Sequence, residues 1–171
     1  MDPEITELMD RSSLVELKVA RVYDALARVF DDEPALSRFW ALFAEAERYH
    51  SLIIQMQKHL IDPGAATRER IDAWKADVEQ MLSYLDEQIA RLEDDEWEPS
   101  VSEAFALADH IENQVAEAQT HSFRMVDRSD IGDLVSRLHE EDLRHRDKLL
   151  QARRRFDSSF TDDGSGLSAR S

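Results

Sequence analysis

Long runs without a helix breaker constrain this chain more than any other feature. Glycine and proline number four each in 171 residues, and hydrophobic residues (42%) mix with charged ones (34%) at helical spacing. In the segment "RIDAWKADVEQMLSYLDEQIARL", for example, Ile71, Trp74, Val78, Leu82, Leu85, Ile89 and Leu92 recur every three or four residues. That period lines up one face of an α-helix, whereas a strand needs alternation, which is absent. The breakers cluster in "DDEP", "IDPG" and "DDEWEPS", between such segments.

Five helices are therefore expected, over about 11–30, 34–60, 66–94, 100–126 and 130–156. Ser12 or Ser13 is the expected cap of the first, Pro34 suits the first turn of the second, Ser100 or Ser102 starts the fourth, and Asp130 caps the fifth. The resulting class is an all-α helical bundle over residues 11–156, preceded by a short extension (1–10) and followed by a disordered polar tail (157–171).

Composition removes several function classes. No cysteine is present, which excludes disulfides, thiolate metal sites and cysteine nucleophiles. The net charge of −16 disfavours nucleic acid and anionic membranes as partners and suits attraction of cations. "MDPEITELMDRSS" has no basic start and no apolar core, so it does not read as a secretory signal. No stretch approaches the roughly 20 apolar residues of a membrane span, and a cytoplasmic location is expected.

The informative residues are ionisable groups inside apolar stripes. The first helix carries Glu16 one turn before Val19, Ala20 and Tyr23; the second carries Glu47 and His50 among Phe39, Trp40, Phe43, Ile53 and Ile54. The fourth carries Glu112 beside Ala108 and Ile111, and the fifth carries Asp142 and His145 between Leu138 and Leu149, with Glu141 at the edge. Each admits an ordinary reading when taken alone. Glu16 near a helix start can reach solvent, and His50 and His145 can be core histidines with satisfied hydrogen bonds. Taken together, buried carboxylates need a cation. The spacing also repeats: Glu16 to Glu47 is 31 residues and Glu112 to Asp142 is 30; Glu16 to His50 is 34 and Glu112 to His145 is 33. Two helix hairpins, each giving one carboxylate and then a carboxylate-x-x-His, would bring six metal ligands together. Glu45, Glu140, His59, His110, His121 and His139 fall off these stripes or stand isolated.

"VELKVARVY", "AEAERYHSL", "ALADHIENQ" and "HEEDLRHRDKL", in that order, resemble the four ligand helices of the ferritin-like superfamily, in its rubrerythrin and bacterioferritin branches. The resemblance covers about residues 10–155 and implies a four-helix bundle of two hairpins, with the helix at 66–94 as an additional long crossover. It implies two iron ions, with manganese an alternative, held by Glu16, Glu47, His50, Glu112, Asp142 and His145. Tyr23 would lie behind the ligands, as the tyrosine seven residues after the first glutamate. The implied activity is oxidation of Fe(II) by O2 or hydrogen peroxide, as a peroxidase or ferroxidase; the alternatives are iron storage, or a non-catalytic helical module with a vestigial site. Asp142 stands where glutamate is usual, which keeps Glu141 open in its place, and Val115 stands where rubrerythrins carry a further glutamate. Without a cysteine-based redox domain such a protein needs an external electron donor, and the family implies a homodimer or larger homo-oligomer. The tail "DDGSGLSARS" also bears a faint resemblance to the short signals that load cargo into encapsulin shells.

Overall fold

Apolar stripes of this length form helices only if something covers them, and in the computed structural model they cover one another. It describes residues 3–57, 67–94, 97–123 (116–123 as backbone alone) and 144–158. These residues form α1 (Pro3–Val29), α2 (Pro34–Gln57), α3 (Arg68–Leu92), α4 (Val101–Phe123) and α5 (residues 144–156), with no strand among the described residues. The fold class is all-α. None of the described helices is long and apolar enough to cross a membrane.

The polar cross-links give the helix directions. Ser13 pairs with Ser51, Asp10 with Gln55 and Asp24 with Arg48, so α1 and α2 run antiparallel. The Ser37 hydroxyl donates to the Ala27 carbonyl at 2.7 Å and closes the tight turn between them. Glu4 meets Arg68, Arg11 meets Glu79, Lys18 meets Asp86 and Arg21 meets Glu93, so α3 runs parallel to α1. Phe156 lies against Phe39 while His145 lies against Phe43 and His50, which makes α5 antiparallel to α2.

Local chemistry sets the helix starts. The Thr67 side chain accepts the Arg70 N–H at the start of α3. At α4 a reciprocal capping box forms: the Ser100 hydroxyl accepts the Glu103 N–H at 3.3 Å, and Glu103 Oε2 accepts the Ser100 N–H at 2.8 Å. Ser100, of the two serines expected there, is the cap. Those bonds favour the charged carboxylate and hold the Glu103 pKa below its ordinary value.

The expected first helix boundary is corrected. α1 begins at Pro3, and Ser12 and Ser13 lie inside it. Ser13 is buried against Ser51, hydroxyl to hydroxyl at 2.8 Å, and the Ser12 hydroxyl accepts the Trp74 indole N–H at 3.1 Å. Residues 3–10 are no mere extension: Ile5, Leu8 and Met9 are buried in the core. α3 likewise is more than a connection. It buries Ile71, Trp74, Val78, Met81, Leu85 and Ile89 in the same core as α1. At the other end, Asp157 is buried and accepts from Arg153; residues 159–171, assigned to the expected tail, lie outside the described residues.

Aromatic side chains pack the centre. Trp40 stacks on Tyr23 (centroids 5.7 Å apart) and tilts onto Phe105 (5.0 Å), while Phe39 touches Phe43, Phe105 and Phe156. Full burial of each large apolar side chain stabilises the fold by about 1.5–3 kcal/mol, so this cluster fixes α1, α2, α4 and α5 around one point.

Candidate metal centre

Glu47 and His50 lie one turn apart on α2, on the face that also carries Phe43 and Ile54, so packing that face buries them. Glu47 is 3% exposed, His50 3% and His145 6%. His145 arrives from α5 and stacks flat on Phe43, with centroids 5.0 Å apart and planes 24° apart. His50 Nδ1 lies 3.0 Å from Glu47 Oε2, and His145 Nδ1 lies 3.0 Å from Glu47 Oε1. The two imidazole rings are 5.0 Å apart. One carboxylate is thus gripped at both oxygens by histidines from two helices, and one donor atom from each of the three residues lies within 4.8 Å of the other two.

Burial pushes the Glu47 carboxyl pKa up, but the close contacts and charge of His145 and His50 outweigh it and hold the pKa at about 2. Glu47 is therefore an anion at any ordinary pH, and its two partners offer ring nitrogens that a metal can take in place of protons.

A second cluster lies on the α1 side. The buried Tyr23 hydroxyl donates to Glu112 Oε1 at 2.7 Å, across the bundle from α1 to α4. The Tyr23 pKa is raised well above its usual value, by burial first and then by the negative charges of Glu112, Glu47 and Glu16. Glu16 is 1% exposed, and Glu112 is half-buried. Three carboxylates from three helices therefore surround one phenol. Glu16 and Glu112 do not join the close triad, whose members are Glu47, His50 and His145. Asp142 and its alternative Glu141 lie outside the described residues, as do Glu140, His59 and His139; of His121 only the backbone is described. Glu45 is exposed and pairs with Arg48, and His110 packs edge-on to Tyr84, so neither contributes.

A donor set of one carboxylate and two imidazoles fits Fe(II), Mn(II) or Zn(II), and the surrounding carboxylates favour the hard divalent ions. Access exists: a cavity of about 180 Å³, lined by Ala46, Tyr49, His50, Arg144, His145 and Lys148, opens onto both histidines. The sequence did not point to Phe43, which presses on His145 from one turn before Glu47; its place on the Glu47 stripe was the available signal.

The fold and site define an all-helical protein with a buried Glu-His-His cluster suited to a metal ion. No family model, no curated protein and no solved structure matches the chain.

Proposed function

We propose that this chain is a ferritin-like di-iron oxidoreductase that oxidises Fe(II) with O2 or hydrogen peroxide. The observation that carries this reading is the grip of His50 and His145 on opposite oxygens of the buried Glu47. A cluster of charge and imidazole is costly in an aromatic core, and a metal ion in place of the two Nδ1 protons would offset that cost. Glu47, His50 and His145 would hold one ion; Glu112, which accepts from Tyr23, and Glu16, whose charge also acts on that phenol, would extend the donor set to a second. Bound iron would supply the electrons that reduce the oxidant.

The chain's own groups do the rest. Phe43 fixes the plane of His145 and keeps water off one face of it. Tyr23 holds the Glu112 carboxylate in one orientation with a proton that burial and three nearby anions keep on the phenol. The small cavity beside the histidines admits a molecule the size of O2 or peroxide. An external electron donor would complete turnover, because no cysteine is present to build a redox site.

Anaerobic loading with Fe(II), followed by hydrogen peroxide or O2 and chelator assay of the remaining Fe(II), tests this. Oxidation faster than in buffer, abolished in His145→Ala, is expected. Oxidation at the buffer rate in both proteins overturns the enzymatic reading, and retention of many ions per chain replaces it with storage.

A further inference from the structure

A second, larger cavity lies beside the metal candidate and has different chemistry. Its volume is about 470 Å³, within the roughly 300–1,000 Å³ of small-molecule pockets. α2 supplies one wall, with Phe39, Phe43 and Ala46; α5 supplies the other, ending on Phe156. These rings already touch: Phe39 lies 4.6 Å from Phe43 and 6.3 Å from Phe156, centroid to centroid. The α2 wall and the Phe156 end of the trough are therefore apolar, while His145 and Gln151 of α5 add polar groups to the other side.

Its rim is cationic. Lys148 and Arg155 both line it, seven residues apart and so on one face of α5, about 10 Å from end to end. Both are exposed, and Lys148 also lines the smaller cavity at His50 and His145. The Arg155 guanidinium lies over the Phe156 ring at 5.1 Å, which aims a cation along the apolar wall. The setting sharpens the contrast. The whole chain carries −16, so two cations lining one cavity stand out against the charge of the rest. Two exposed cations beside a wall of aromatic rings are complementary to an anion with an apolar body.

We infer that the trough between α2 and α5 binds a carboxylate bearing an apolar chain or ring, its head at Lys148 or Arg155 and its body on Phe39, Phe43 and Phe156. This site adjoins the Glu47, His50 and His145 cluster and shares His145 with it, but its two cations and its rings bind the ligand with or without a metal. Its occupant lies against His145, at the mouth of the proposed centre.

Calorimetric titration of the full chain, metal-free, with decanoate, acetate and 1-decanol tests this. Decanoate is expected to bind saturably with one site per chain, and both acetate (the head alone) and decanol (the body alone) to bind much more weakly. Loss of the ionic contact in the double variant Lys148→Gln/Arg155→Gln is expected to weaken decanoate about tenfold or more and to leave decanol unchanged. Both substituted residues are exposed, so the fold is retained. No saturable decanoate binding, equal affinity in the double variant, or decanol binding as tightly as decanoate overturns the inference. Metal content of the same samples reports separately on the Glu47 site.

Discussion

The Tyr23 hydroxyl donates to Glu112 Oε1 at 2.7 Å, joining α1 to α4 across 89 residues of chain. Tyr23 is buried between Trp40 and Phe43, so the hydroxyl has been stripped of water and that bond is what satisfies it. Tyr23→Phe keeps the ring and removes the donor. The account predicts a loss of about 1–3 kcal/mol in urea unfolding, the range for leaving a partly buried acceptor without its partner. An unchanged midpoint and slope would mean the bond contributes nothing.

Glu47 makes stability depend on acid. Its folded pKa of about 2 lies below the ordinary 4.5, so the folded state holds the charged form more tightly than the unfolded chain does. The contribution is therefore complete above the ordinary value and drains away as pH falls through 4.5 toward 2. In metal-free protein, the stability difference between the native chain and Glu47→Gln is predicted to shrink over that window. A difference that stays constant from neutral pH down to the acid limit would contradict the paired carboxylate.

The first two turns of α1 belong to the core. Leu8 is 2% exposed, and Leu8→Ala is predicted to cost about 2–5 kcal/mol, the range for a buried large-to-small change. By contrast, Arg21 and Glu93 are both largely exposed, and Arg21→Ala is predicted to cost under about 1 kcal/mol despite its two-pronged pairing. Denaturant melts of the two variants side by side check the ordering; equal losses would place Leu8 outside the core.

These contrasts bear on what the residues themselves made legible. The described helices were readable because each buried stripe keeps its 3.6-residue period, while Asp130 and residues 130–143 of the expected fifth helix lie outside the described residues; Glu47, His50 and His145 were readable because charged and imidazole groups interrupt such stripes. The start of α1 was not. "DRSS" has the composition of a cap, and only the packing of Ser13 on Ser51 and of Trp74 on Ser12 shows that these serines are interior contacts. The position of α3 was hidden for a related reason: an amphipathic stripe states that a face is buried but not against which neighbour. The α2–α5 trough was equally invisible, since Lys148 and Arg155 gain meaning only once Phe39 and Phe43 stand opposite them.

The central claim is that Glu47, His50 and His145 hold metal. Elemental analysis after anaerobic Fe(II) loading and desalting, run on the native chain and on Glu47→Ala, tests it most directly. The account predicts about two irons per chain in the native protein and near none in the variant, with both proteins equally helical by circular dichroism. Equal iron in the two, or none retained by either, would contradict it and leave the cluster as two histidines in close contact with a buried carboxylate.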